Sequence, residues 1–187
     1  MTLDLPLLDL TVADLQLRTL LAVDAPLVVE ATAQESEPAL WGPRPAGPYS
    51  PEQAAATLAA WSPGQDQVSF GLLRDGRLLA ALGLMADRPG SAELAYWVRS
   101  DHRRQGLATR GVRAVTGWAH RAGLVRIWLE IRPGHEASLR VAERGGFRFE
   151  RRLPDHCRSW HHDDPADDTW HDCMIWSHAA QDSATGG

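Results

Sequence analysis

The chain has 187 residues, of which 44% are hydrophobic and 23% are charged, a composition typical of a globular protein with a substantial core. The formal net charge is -5 and all 19 basic residues are arginine, which excludes a catalytic lysine and argues against a general nucleic-acid binder. The N-terminus has no basic signal-peptide region, and no apolar run approaches the roughly 18 residues of a membrane span. Cys157 and Cys173 are too few for a disulfide scaffold and indicate a reducing compartment. These features predict a cytoplasmic protein without nucleic-acid or membrane partners.

The first half of the chain predicts a strand, two helices and then the start of a strand meander. Residues 1–13 are expected to lie on the surface or to add an edge strand. Residues 35–49 hold four prolines and two glycines, which predicts a loop. The predicted elements are a strand over Leu15–Leu20, a helix over Ala25–Gln34 with Asp24 as its N-cap, a helix from the capping box at Ser50 to about Trp61, and strands over Gln67–Arg74 and Arg77–Ala86.

The second half continues the meander and then alternates strands with helices. The expected fold is a mixed, mostly antiparallel sheet of about seven strands with four helices, in one domain over residues 1–187 with a core at 13–178. The predicted elements are strands over Ala92–Arg99 and Val125–Ile131, helices from Gly106 to Gly123 and over Glu136–Arg144, strands over Phe147–Leu153 and Thr169–Ser177, a polar loop over Pro154–Asp168, and a flexible tail at 179–187.

The stretch from Ala92 to Thr109 organises the rest of the chain. A buried strand runs into the sequence Arg103-Arg104-Gln105-Gly106-Leu107-Ala108 and then into a helix. The first backbone N–H groups of a helix have no intrahelical partner and lie at the positive end of its dipole, so they bind anions well. Arg-x-x-Gly-x-Ala therefore indicates a pyrophosphate site without the lysine of a P-loop. An ordinary strand-to-helix turn is the alternative.

Several motifs in one order give the chain a resemblance to a known family. They are Leu15-Gln16-Leu17-Arg18, Asp24-Ala25, Glu93-Leu94-Ala95-Tyr96-Trp97, Arg103-x-x-Gly106-x-Ala108 and His135-Glu136-Ala137-Ser138 followed by Gly146-Phe147. This pattern, over residues 13–178, resembles the GNAT superfamily of acetyl-CoA-dependent N-acetyltransferases. Its nearest branch looks like the RimJ/RimL-like acetyltransferases that modify the N-termini of ribosomal proteins.

The resemblance implies the GNAT α/β (α+β) fold, in which two central strands splay apart and acetyl-CoA binds between them. The backbone amides from Arg104 to Thr109 would hold the CoA pyrophosphate, and the strand through Val98 would pair with the pantetheine arm. An N–H near Val98 would stabilise the tetrahedral oxyanion. The family usually has Asn where this chain has His135, which leaves the pantetheine contact at that position open. The implied cofactor-binding residues are Trp97, Val98, Arg103, Arg104, Gln105, Gly106, Leu107, Ala108, Thr109, His135 and Ser138.

Two residues are candidates for catalysis. Acetyl transfer needs a neutral amine, and Glu93 is the one acid in an otherwise apolar strand, so it is the candidate general base. The alternative is a strand-end carboxylate that reaches solvent or an arginine. Ser138 stands where some relatives assign a group to the leaving thiol, and the helix tyrosine that many relatives use is replaced by Ala142. The alternative for Ser138 is an ordinary polar residue in a first helical turn.

The remaining chemistry-bearing residues are expected to have other roles. A segment rich in histidine and aspartate follows residue 155 but lacks the spacing of a defined metal motif, so no metal site is expected. Its acids could attract a cationic acceptor. The predicted activity is direct transfer of acetyl to a primary amine in a ternary complex, by a monomer or homodimer. The acceptor would be a protein N-terminal amine or a small amine such as an aminoglycoside, and a non-catalytic acyl-CoA-binding domain is the alternative from another class.

Overall fold

The computed structural model describes residues 2–35, 40–41, 48–159 and 169–180. Across these ranges the chain forms strands and helices in the predicted order, with one further strand at the start. The strands are β1 (Asp9–Val12), β2 (Leu15–Thr19), β3 (Gln67–Arg74), β4 (Arg77–Arg88), β5 (Ser91–Val98), β6 (Arg126–Ile131), β7 (Arg148–Ser159) and β8 (Thr169–Ala179). The helices are α1 (Ala25–Thr32), α2 (Pro51–Ala60), α3 (Leu107–Arg121) and α4 (Glu136–Gly145).

The strands form one sheet in the order β1-β2-β3-β4-β5-β6-β8-β7. All neighbours are antiparallel except β5 and β6, which run parallel and pair only from Ser91 opposite Arg126 to Glu93 opposite Trp128. Beyond these pairs the two strands are no longer bonded to each other. The predicted mixed sheet with splayed central strands is confirmed, and its eight strands exceed the expected seven because β1 pairs with β2.

Helices cover the sheet on both faces, and the alternation of side chains along β5 decides which face each residue joins. The even-numbered residues from Ala92 to Val98 belong to the cluster that includes α3 and α4 residues. Ala95 and Trp97 belong to the cluster that includes α1 and α2 residues. The side chain of Glu93 points to this second face, because Glu93 lies two residues before Ala95 and alternate residues of a strand share a face.

The helix starts show one capping prediction that holds and one that does not. The Ser50 hydroxyl accepts the N–H of Gln53 at 3.2 Å, while the Gln53 side chain accepts the N–H of Ser50 at 2.8 Å, so the capping box is present. Asp24 occupies the N-cap of α1 but makes no side-chain cap. Its carboxylate instead accepts two hydrogen bonds from the Arg18 guanidinium, at 2.7 and 2.8 Å. A bidentate ion pair is stronger than a neutral capping bond, so the ion pair takes the carboxylate.

Close packing fixes how α2 sits on the sheet. Gly83 lies in β4 opposite Ala95, and a β-carbon at this position would overlap the Trp61 ring. Trp61 is the C-cap residue of α2 and is buried in the cluster of α1 and α2. The absence of a side chain at Gly83 therefore lets the end of α2 lie against the strand.

The prediction of a loop from Pro154 is wrong for residues 154–159, which continue β7. Proline is tolerated there because β7 is the last strand in the sheet order and its register with β8 shifts between Leu153 and Cys157. Residues 160–168 of the predicted loop lie outside the described residues. Ala179 belongs to β8 rather than to a flexible tail, and residues 181–187 also lie outside the described part.

The two cysteines lie on this terminal hairpin. Cys173 is fully buried on β8. Cys157 lies on β7 and forms a disulfide with Cys173, with their Cα atoms 5.7 Å apart. The sequence did not predict this pairing, because a count of two cysteines indicates a reducing compartment and Cys157 was expected on a loop rather than on the strand next to Cys173.

Candidate active site between two diverging strands

The gap between β5 and β6 beyond Glu93 and Trp128, called the seam here, exposes one edge of β5. The N–H of Arg99 donates to the carbonyl oxygen of Leu79 on β4 at 3.1 Å. Backbone groups alternate in direction along a strand, so the odd-numbered residues of β5 bond to β4. The N–H groups of Tyr96 and Val98 consequently point toward the seam.

The turn before α3 lies at one end of the seam. Gly106 is the N-cap of α3 and has a left-handed φ of 74°, which glycine adopts without strain. A β-carbon on Gly106 would meet no atom within 4 Å, so the space beside it is open. Arg104 also has a positive φ, 63°, which is unfavourable for a residue with a side chain. Among the described residues no side chain accepts a hydrogen bond from the first N–H groups of α3, so these groups are available to a ligand.

The arginines around this turn differ in their partners. Arg103 donates from Nε to the carbonyl oxygen of Val98 at 3.2 Å and lies 3.6 Å from the buried carboxylate of Glu35. Arg110 is paired with Asp14 at 3.1 Å. Arg104 is exposed, and within the described ranges it has no hydrogen bond or ion pair. Of the three arginines at this turn, Arg104 is therefore the one whose charge no carboxylate among the described residues neutralises.

Glu93 lies at the point where the pairing of β5 with β6 ends. It is half-buried, and no residue in the described part of the chain forms an ion pair or hydrogen bond with it. Burial, followed by the like charges of Glu130 and Asp87, raises the pKa of Glu93 to about 7. A carboxyl group with this pKa exchanges a proton near neutral pH, which is the property of a general base.

The first turn of α4 lies next to the seam on the side of β6. His135 is the N-cap residue, and its side chain makes no capping bond. Burial and then the charge of Arg132 lower the pKa of His135, so its ring is more often neutral near pH 7. Ser138 follows in this turn, with its N–H bonded to the carbonyl oxygen of His135 at 3.0 Å. The Ser138 hydroxyl lies beside that of Tyr96 on β5.

The structure brings most of the expected site residues to the seam but leaves one away from it. Val98 and the 103–109 turn lie at the open end of the seam, and Glu93 lies at its closed end. Ser138 lies beside Tyr96 of β5, and His135 is the N-cap residue of the same helix. Trp97 does not line it, because its backbone faces β4 and its side chain is buried in the cluster of α1 and α2. Leu107 contributes only backbone, since its side chain is buried in the core.

Sequence reasoning missed three residues around this site. They are Glu130 and Asp87, whose negative charges raise the pKa of Glu93, and Tyr96, which the sequence did not mark as a site residue. Glu130 carried a signal, since it is the polar residue between the buried Leu129 and Ile131 and so faces the same way as Trp128. No local pattern indicates that Tyr96 reaches α4, because that contact depends on how the helix packs.

One cluster of possible metal ligands lies near this face of the sheet. A carboxylate oxygen of Glu130 and the sulfurs of Cys157 and Cys173 lie within 4.8 Å of one another. The Cys157 sulfur is 2.9 Å from Glu130 Oε1, a contact that is not a hydrogen bond because a disulfide sulfur has no proton. Joined in a disulfide, the two sulfurs are not thiolate ligands.

Comparison with known proteins identifies the family. Residues 14–148 match the model of the acetyltransferase (GNAT) domain, well over half of the chain. The chain therefore belongs to the GNAT acetyltransferase family, which makes it an enzyme that uses acetyl-CoA. No protein of curated function matches it. Within the described residues, every helix is too short or too polar to serve as a membrane span.

Solved structures with this fold include several acetyltransferases. The ribosomal-protein-S5-alanine acetyltransferase from Vibrio fischeri superposes with a TM-score of 0.76 at 17% identity, covering 94% of this chain and 98% of that one. RimL, a ribosomal L7/L12 α-N-protein acetyltransferase in complex with coenzyme A, has a TM-score of 0.72 at 18% identity and covers 92% and 98%. RimJ from Mycobacterium smegmatis, in complex with a CoA disulfide, has a TM-score of 0.71 at 21% identity and covers 96% and 90%. At these identities the likeness concerns the fold.

Proposed function

We propose that this enzyme transfers the acetyl group of acetyl-CoA to an α-amine, with a protein N-terminus as its acceptor and Glu93 as its general base. The observation that carries the proposal is the position of Glu93 at the closed end of the seam, with a pKa raised to about 7. A general base must be ionised before the reaction and must bind the proton that it accepts. A carboxyl group whose pKa lies near the working pH meets both requirements.

The match between base and acceptor favours an α-amine over a lysine side chain. An α-ammonium group has a pKa of about 8, and a lysine ammonium group has a pKa of about 10.4. Proton transfer to Glu93 is therefore unfavourable by about one pKa unit from an α-ammonium group and by about three from a lysine ammonium group. Glu130 and Asp87 add negative charge that attracts a cationic N-terminus.

The residues around the seam have the donors that acetyl-CoA needs. The N–H groups at the start of α3 and the unpaired guanidinium of Arg104 would bind the pyrophosphate. The seam-facing N–H groups of β5 would bond the pantetheine amides as an added strand does. Arg103, whose Nε already bonds to Val98, would hold the strand end in place.

In the proposed mechanism, Glu93 takes a proton from the ammonium group, directly or through a water molecule, and passes it to solvent. The neutral nitrogen then attacks the thioester carbon and gives its second proton to the same carboxylate, which releases it to solvent. A seam-facing N–H of Tyr96 or Val98 donates to the carbonyl oxygen as it becomes an oxyanion. The carbon–sulfur bond then breaks with its electron pair on sulfur, and the Ser138 hydroxyl donates a hydrogen bond to the thiolate. A thiol pKa of about 8.5 makes the thiolate a fair leaving group, so amine deprotonation is the more demanding step.

The acceptor is tested by measuring release of the CoA thiol with a panel of amines. The panel contains peptides with free N-termini and no lysine, the same peptides with blocked N-termini and one lysine, polyamines, aminoglycosides and free amino acids. We expect release with the free N-terminal peptides and little with the blocked ones. Activity confined to lysine peptides or to small amines would contradict the proposed acceptor, while loss of activity in Glu93→Gln would support the base for whichever amine reacts.

A further inference from the structure

The hydroxyl group of Tyr96 is a buried polar group without an evident partner. Its oxygen is buried and has no hydrogen bond within the described residues. Leaving a buried hydroxyl without a partner costs about 1–3 kcal/mol, so such groups call for an explanation. Phenylalanine would fill the same space without this cost. The position of the hydroxyl next to the candidate active site suggests that it has a function there.

Ser138 is the polar group that Tyr96 faces. Burial raises the pKa of Tyr96, and the neighbouring Ser138 hydroxyl offsets part of that rise. The two oxygens therefore lie close, although their present arrangement falls short of a formed hydrogen bond. A hydroxyl can accept one hydrogen bond and donate another at the same time. A small rotation of either group would let Ser138 accept from Tyr96 and donate to a third atom.

We propose that Tyr96 is a positioning residue that donates its hydroxyl proton to the Ser138 oxygen and thereby aims the Ser138 proton at the sulfur of the departing CoA. This inference rests on the proposed function of the seam. As the carbon–sulfur bond breaks, the electron pair goes to sulfur, and the hydrogen bond from Ser138 stabilises the thiolate. Tyr96 and Ser138 keep their own protons, because both hydroxyls are weaker acids than the thiol. The thiolate later takes a proton from water.

The matched control is the other tyrosine of the chain. Tyr49 is also buried, its hydroxyl oxygen also lacks a hydrogen bond within the described residues, and burial also raises its pKa. It belongs to the other core cluster, with α1 and α2, away from Ser138. Tyr96→Phe and Tyr49→Phe therefore remove the same atom from similar surroundings, and only one of them lies beside the seam.

The test compares steady-state kinetics of Tyr96→Phe, Ser138→Ala, the double variant and Tyr49→Phe, each with its melting temperature. We expect kcat to fall about tenfold in Tyr96→Phe and about tenfold to a hundredfold in Ser138→Ala, with KM for acetyl-CoA unchanged. The double variant should match Ser138→Ala alone, because Tyr96 acts through Ser138. A kcat within twofold of wild type in Tyr96→Phe, a double variant as slow as the product of both single effects, or an equal loss in Tyr49→Phe would overturn the inference.

A second measurement does not depend on turnover. The ultraviolet absorbance of the thiolate reports the ionisation of CoA bound to each variant as pH is raised. The wild-type protein and Tyr49→Phe should lower the thiol pKa of bound CoA relative to Tyr96→Phe. Equal thiol pKa values in wild type and Tyr96→Phe would overturn the role of Tyr96. CoA binding with the expected thiol shift but no acetyl transfer would sink the proposed function alone, and a failure to bind CoA would sink both.

Discussion

The ladders on the β3–β5 side of the sheet differ from the ladder across the seam in the number of positions that they pair. Strands β3 and β4 share eight paired positions and β4 and β5 share eight, whereas β5 and β6 share three. Strands β3 and β4 are buried along most of their length, with helices on both faces. Along β6 the less buried residues Arg126, Trp128 and Glu130 alternate with fully buried ones. The free edge of β5 therefore arises because its ladder with β6 ends early, beside a well-packed half of the sheet.

The difference also separates stability from chemistry. Residues of β3 and β4 form the buried scaffold. The seam instead contains groups that lower stability, namely the half-buried carboxyl group of Glu93, the positive φ of Arg104 and the Tyr96 hydroxyl, which has no hydrogen bond among the described residues. Such costs concentrate at functional sites because the surrounding structure tolerates them there. Substitutions in the two regions should therefore act in opposite ways on activity and on stability.

The largest effect is expected from Glu93→Gln, which removes the proposed general base. We expect kcat to fall by about 10²–10⁴-fold with acetyl-CoA binding unchanged. The exposed Glu143→Gln on α4 is the control and should keep wild-type kinetics. A decrease in kcat of less than threefold in Glu93→Gln would rule out a role in amine deprotonation.

The same variant should gain stability at high pH. The pKa of Glu93 is about 7 in the folded chain against an ordinary 4.5, so between these values the folded state holds more protons than the unfolded state. Rising pH therefore favours unfolding across this range, at a cost of at most about 3 kcal/mol above pH 7. Urea unfolding should show Glu93→Gln to be more stable than wild type at pH 8 and similar to it near pH 4. A gain that is independent of pH would contradict the raised pKa.

Gly83→Ala should act on the scaffold alone. The added β-carbon meets the Trp61 ring, so we expect a loss of about 1–3 kcal/mol in the free energy of unfolding. Below the unfolding transition, kcat should stay close to wild type. The control is Gly117→Ala in α3, where the nearest atom to a new β-carbon is Arg121 Nη1 at 3.5 Å. That change should stabilise the protein by about 0.5–1 kcal/mol, because alanine favours a helix. A change in the free energy of unfolding that has the same sign in both variants would contradict this account of Gly83.

Arg104 offers a substitution with opposite effects on binding and stability. Arg104→Gly relieves the left-handed backbone and should stabilise the fold by about 1 kcal/mol. It also removes a guanidinium group from the turn, which should weaken acetyl-CoA binding about tenfold. Arg104→Ala should weaken binding equally without the gain in stability. Calorimetric titration of CoA and thermal unfolding separate the two effects, and unchanged binding in both variants would remove Arg104 from the site.

The smallest effect is a shift in the pH dependence of the reaction. The rate should rise with pH to a plateau above about pH 7, because Glu93 must be ionised to act. Glu130→Gln removes a like charge and should move the midpoint to lower pH, and Asp87→Asn should do so to a smaller extent. Profiles of kcat/KM for the three proteins measure these shifts. A midpoint that moves to higher pH in Glu130→Gln would contradict the electrostatic account of Glu93.

Sequence patterns predicted the fold better than they predicted the detail of the site. The apolar run at Ala92–Arg99, the capping box at Ser50 and the glycine-containing turn at Gly106 are local signals, and the structure has a strand, a helix start and a turn at these places. The disulfide, the ion pair at Asp24 and the Tyr96–Ser138 contact join residues whose distances depend on packing. The prediction that β7 ends before Pro154 is wrong, because β7 lies at the edge of the sheet, where a strand can contain a proline.

Residue-resolved amide hydrogen exchange with and without CoA tests most directly whether the seam is the acetyl-CoA site. The amides of Ala95 and Trp97 bond to β4 and should be protected in both conditions, whereas those of Tyr96 and Val98 face the seam. We predict that CoA selectively protects the Tyr96 and Val98 amides, together with the amides at the start of α3. Binding of CoA that leaves the exchange of Tyr96 and Val98 unchanged would contradict the account.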